Sequence, residues 1–202
     1  MAPQTGGDYA GPDGILFRGD SGGAEQYMRR GMAFIDVDGP GHGGMLRQNN
    51  LYAPPDSERV GKAVIDYLVS RPDVDPDRIG LHGSSMGGYC GPRCATVEKR
   101  IKAVAVWSGA YHLVDDIFDY YPPIQDRLRW LIGTKDLKEA REKIKQFTLE
   151  GRAHQIECPL LVGYSHDESR HGPARRAQAV RKGDQLSESR NARRRRPWRE
   201  TV

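Results

Sequence analysis

The apolar stretch Arg78 to His82 runs directly into Gly83-Ser84-Ser85-Met86-Gly87, and no other feature of the chain restricts its fold as tightly. A short strand, a tight turn and a helix over Gly88 to Glu98 are predicted. A G-x-S-x-G pattern in that setting lifts the central hydroxyl above a sheet edge. The small residues two positions away on either side let the backbones approach closer than a Cβ permits. Ser85 is therefore the candidate nucleophile. The Met86 N–H, at the start of a helix, is a candidate oxyanion donor. The plain alternative is a glycine-rich connection between strand and helix with no chemistry attached.

The surrounding sequence alternates short apolar runs with helical patterns, which is the rhythm of an α/β fold with a mostly parallel sheet flanked by helices. Gly14 to Phe17 is a brief apolar run leading into the loop Arg18 to Gly23. Ala24 to Arg30 reads as a helix and Met32 to Val37 as a buried strand. Ser57 to Ser70 carries Val60, Val64, Ile65 and Leu68 at helical spacing, with Ser57 or Asp56 placed to cap it. Ile101 to Trp107 has the near-continuous apolar character of a strand covered on both faces. Leu113 to Gln146, aromatic and charged, is predicted to be a small helical cap insertion, with a helix over Leu137 to Phe147. Cys158 to Val162 is the last strand, and the folded domain is expected to end near Glu168.

Beyond that point arginine replaces apolar periodicity. Net charge is +4, but residues 169–202 carry +8 and the body −4. A block such as RNARRRRPWR is a solvated tail rather than the basic face of a folded nucleic-acid-binding domain, so casual polyanion attraction is all it implies. No apolar run reaches the roughly 18 residues of a membrane span, and the first residues lack the pattern of a secretory leader. Cys90, Cys94 and Cys158 form no disulfide or zinc pattern, which fits the cytoplasm and buried small side chains. No cofactor or metal motif is expected.

A serine nucleophile needs a base, normally histidine, and an orienting carboxylate, in the chain order serine, acid, histidine for this architecture. Asp167, in the polar loop after the last strand, is the candidate acid. Of the six histidines only His171 follows it, only four residues on, and a solvated loop residue is its simpler reading. Gly19 and Asp20 follow the first apolar run, where a second oxyanion N–H would originate. The loop Asp38 to Gly44 is expected at the same edge, shaping the pocket.

The stretches RGMAFIDVDGPGHGG, SERVGKAVIDYLVSRPDVDPDRIGLHGSSMGGY, RIKAVAVWSGAYHLVDD, LKEAREKIKQFTLEG and ECPLLVGYSHDE together resemble an α/β-hydrolase group that includes 2,6-dihydropseudooxynicotine hydrolase and esterases of the dienelactone-hydrolase type. The resemblance implies Ser85 as nucleophile, Asp167 as triad acid, and a further acid helping the substrate near Asp115 or Asp116. It implies a small-molecule carbonyl substrate, an ester or a C–C bond beside a carbonyl. Members carry a helical region and the first strands of the sheet before the part that begins here, so the chain is expected to start around the third strand, and they carry a helix, a strand and the catalytic histidine after the HDE loop. The chain is therefore expected to be an incomplete version of the fold, truncated or frame-shifted. A pocket that binds without catalysing is the second reading, and a homodimer is open.

Overall fold

The computed structural model describes residues 4–9, as backbone, and residues 24–163. Five parallel strands form one sheet: β1 (Gln4–Tyr9), β2 (Met32–Asp36), β3 (Ile79–Ser84), β4 (Ala103–Trp107) and β5 (Leu160–Gly163). Their order is β2-β1-β3-β4-β5. β1 aligns Gly7 with Ile35 on one side and with Leu81 on the other.

The helices follow from parallel pairing, because each strand must be reached by a crossover. α1 (Ala24–Met28) joins β1 to β2 on one side of the sheet. α2 (Gly43–Asn49) and α3 (Glu58–Ser70) come next, and α4 (Gly87–Val97) joins β3 to β4. The chain steps outward from β1 to β2, then returns past β1 to β3. Right-handed crossovers then put α1 on one face and α3 and α4 on the other. Alternation in β3 matches this: Ile79, Leu81 and Gly83 are buried, whereas Gly80, His82 and Ser84 are half-buried. Tyr27 of α1 lies over the second set, 5.9 Å from the His82 ring.

Several expectations are met closely. α3 starts one residue inside its predicted range, and Ile65 and Leu68 face the core. Cys90 and Cys94 are buried in α4. Others need correction. β1, with the sequence QTGGDY, was not anticipated, and the apolar run Gly14 to Phe17 lies outside the described residues. β2 is half-buried along its length because it is an edge strand. Ser57 sits at the N-terminus of α3 in a helical conformation and makes no side-chain cap. Among the described residues β4 is covered on one face: Val104 and Val106 are buried, while Ala103 and Trp107 are exposed. Leu161 of β5 is 42% exposed on the neighbouring strand. Pro92 lies in the second turn of α4, which leaves the Gly88 carbonyl without its helical donor.

The insertion after β4 contains a wide helical turn (Val114–Phe118), α5 (Gln125–Leu131) and α6 (Leu137–Ile144). Leu128, Leu131, Ala140, Ile144 and Phe147 belong to the same buried cluster as Leu81 and Val104. Packing thus makes the insertion an extension of the core rather than a separate body.

Candidate active site

The strand order reverses between β1 and β3, and in open parallel sheets the crevice beyond the strands' carboxyl ends at such a point is where ligands bind. Ser85 follows β3 directly there. Its φ is +56°, a left-handed conformation costly for a residue with a Cβ. The turn that holds it is built from close backbone contacts. A Cβ at Gly83 would overlap the Gly87 carbonyl, and one at Gly88 would overlap the Gly109 backbone. The Ser85 N–H donates to the Trp107 carbonyl at 3.0 Å, so the end of β4 pins the turn.

The Ser85 carbonyl accepts from Gly88 N–H at 2.9 Å and the Met86 carbonyl from Cys90 N–H at 2.9 Å, which starts α4. Among the described residues no backbone carbonyl takes the Met86 N–H. It stands at the positive end of the helix, as an oxyanion donor requires. The Met86 side chain is buried.

The loop after β2 lies beside this turn, as anticipated. Gly41 has φ +84° and packs so closely on Ala53 that a Cβ could not be accommodated. Asp38 accepts from the Gly44 N–H at 2.8 Å, tying the loop to the start of α2, a helix not anticipated from sequence. Gly39, Pro40 and His42 line a narrow cavity with Ser57, Met86, Cys90 and Phe147. Burial of His42 pulls its pKa down, against the opposing pull of the Pro40 carbonyl and Asp38. Burial likewise pushes the Cys90 thiol up to about 12, so it is an inert neighbour.

His42 gives a pH dependence of stability. Its folded pKa lies below the unfolded value of 6.5. Above that pH the imidazole is neutral in both states and contributes nothing. Below it the unfolded chain takes up a proton that the folded one refuses, so stability falls with falling pH until the folded pKa is passed. The slope inside that window cannot exceed about 1.4 kcal/mol per pH unit, the value for one full proton. Urea titrations at pH 7.5 and pH 5 should show this loss in the parent and a smaller one in His42→Gln.

The two acidic candidates of the insertion separate. Asp115 is exposed, whereas Asp116 is 4% exposed. Asp116 Oδ2 accepts from the backbone N–H groups of Tyr111 and His112 at 2.8 and 2.9 Å. Its Oδ1 is buried without a hydrogen-bond partner among the described residues. The carboxylate sits on a wide turn closed by the Asp119 N–H to Val114 carbonyl bond of 2.8 Å, a geometry frequent at functional sites.

Of the other histidines, His82 faces Tyr27, His112 bridges to Thr148 and His154 lies in a short turn before β5. Asp167, Gly19, Asp20, His166 and His171 lie outside the described residues. One buried group escaped the sequence reading. Arg93 of α4 pairs with Glu58 of α3, and two charges 35 positions apart on helices look like solvated faces.

A parallel sheet with helices on both faces and a serine on a left-handed turn at its switch point defines the α/β-hydrolase class. The family model of the dienelactone hydrolase family matches residues 48–202, and the chain belongs to that family. A hydrolase of Fusarium sp named LUC6 is 28% identical over 214 residues, covering 88% of this chain and 50% of that protein. The 2,6-dihydropseudooxynicotine hydrolase of Paenarthrobacter nicotinovorans is 33% identical over 145 residues, covering 70% of this chain and 38% of that protein. The crystal structure of 2,6-dihydroxy-pseudo-oxynicotine hydrolase superposes with a TM-score of 0.73 at 26% identity, covering 80% of this chain and 45% of that one. The chain thus spans half or less of the length of these relatives. Among the described residues no helix is long and apolar enough to cross a membrane.

Proposed function

We propose that this chain is a serine hydrolase acting on a small carbonyl compound, an ester or a C–C bond beside a carbonyl, by way of an acyl-enzyme. The observation that carries this reading is the φ of +56° at Ser85, flanked by glycines that touch across the turn. Strain of this kind persists where the surroundings over-determine it, as a nucleophile presented at a sheet edge requires. Ser85 Oγ adds to the carbonyl carbon and passes its proton to a base oriented by Asp167. The Met86 N–H, with a second N–H from the Gly19 to Asp20 loop, holds the oxygen that becomes negative. Collapse expels the alcohol or carbon leaving group, which takes that proton. Water then frees the acyl group as a carboxylic acid and restores the serine.

Asp116, rather than Asp115, is the acid that would meet the substrate in this scheme. One of its oxygens is committed to the backbone and the other is not. The same reading places the protein in the cytoplasm, and it needs no metal.

Intact-mass analysis after exposure to a serine-reactive fluorophosphonate tests the proposal. One adduct on the parent, mapped to Ser85 by peptide sequencing, is the expected result. An unlabelled parent that is folded by circular dichroism would sink it and favour a pocket that binds without catalysing.

A further inference from the structure

The insertion leaves the sheet and returns to it through a two-stranded neck. Leu113 N–H donates to the Phe147 carbonyl at 3.0 Å, Leu149 N–H donates to the Tyr111 carbonyl at 2.9 Å, and His112 faces Thr148 between them. The carbonyl of Thr148 accepts from Arg93 Nη1 at 2.9 Å. Arg93 lies on α4, which Ser85 and Met86 immediately precede. Its other nitrogens form a two-point pair with Glu58 at the start of α3, Nε to Oε2 at 2.8 Å and Nη2 to Oε1 at 3.0 Å. Arg93 is 5% exposed. A single guanidinium therefore joins the nucleophile's helix, the helix before it and the returning strand of the insertion.

We infer that Arg93 is a positioning residue that fixes the insertion relative to Ser85 and so sets how large an acyl group the site accepts. This rests on the hydrolase reading above. An arginine suits the task because its planar fork meets a carboxylate at two points while a further N–H stays free for a carbonyl. The neck itself has two backbone bonds, and the residues it encloses are otherwise held by the Ala53 N–H to Leu131 carbonyl bond of 2.9 Å and by the shared core, so losing the clamp would let the insertion shift at the neck rather than detach. Acyl groups too short to touch the insertion should be indifferent to the clamp. Long ones should depend on it.

The test compares the parent with Arg93→Met, which keeps the bulk and loses the polar fork, and with Arg93→Lys, which keeps the charge and loses the two-point pair. The substrates are p-nitrophenyl acetate and p-nitrophenyl decanoate, which share a leaving group. In Arg93→Met, KM for the decanoate is expected to rise about tenfold while the acetate parameters stay within about twofold. Arg93→Lys should fall between. Equal losses on both esters would mean that Arg93 supports the fold and nothing more, and would overturn the inference.

A second readout does not need activity. Trypsin cleavage after Arg127, Arg129, Lys135 or Lys138 should quicken about fivefold in both variants under conditions where the parent and the variants are equally folded. Unchanged cleavage would also overturn the inference. If the parent hydrolyses neither ester while trypsin still tells the variants apart, the clamp stands and the hydrolase reading falls. If Arg93→Met does not fold, Arg93→Lys carries both measurements.

Discussion

Ser85→Gly is expected to abolish fluorophosphonate labelling and lower ester turnover by about 10⁴-fold or more, while making the protein more stable by about 1 kcal/mol. The two effects have one cause. At φ +56° the serine Cβ is crowded by its own backbone, a cost that glycine does not incur. Glycine also loses more freedom on folding, which offsets part of the gain and keeps the net figure small. Ser85→Ala removes the same hydroxyl but keeps the Cβ, so it should lose activity without gaining stability. A urea midpoint higher for glycine than for alanine at this position, with both unlabelled, is the expected pattern. If the glycine variant were no more stable than the alanine one, the turn would not be storing strain. The claim that the surrounding contacts hold Ser85 against its preference would then fail.

The turn could be read because glycine spacing carries a steric message that holds in any sequence: backbones that touch exclude Cβ atoms. α3 and β3 could be read because their apolar residues repeat with the period of their structure. β1 could not, because QTGGDY has no such period and its pairing to Ile35 and Leu81 is a matter of backbone hydrogen bonds. Trp107 misled for a related reason. Apolar composition in Ile101 to Trp107 implied cover on both faces, yet whether cover arrives on the second face depends on other segments. Asp115 and Asp116 are adjacent and chemically identical, and only their position on the wide turn decides which is buried. Asp167, Gly19 and Asp20 stand as expectations, since the described residues do not include them.

Glu58→Ala is expected to cost about 3–5 kcal/mol, the largest loss of stability from removing any one charge in the described residues. The reason is what remains behind. Arg93 would stay buried with only the Thr148 carbonyl and the Tyr89 hydroxyl near it, at 2.9 and 3.5 Å, and a cation cannot shed its proton to escape. The reverse truncation is milder. Without Arg93, Glu58 keeps Arg152 at 3.9 Å and can itself be protonated. Surface pairs give the contrast: Lys62 with Asp66 at 2.9 Å and Arg71 with Asp73 at 2.6 Å have equally good distances. Both stay solvated, so losing either should cost under about 1 kcal/mol. A domain of this size has roughly 5–15 kcal/mol in total, so Glu58→Ala should lower the thermal midpoint by about 10 °C. Glu58→Gln, which keeps one acceptor for the guanidinium, should lose about half as much. If Glu58→Ala and Asp66→Ala had similar midpoints, the buried charge would not be distinguishable from a solvated one, and Arg93 could not serve as the link between α4, α3 and the neck.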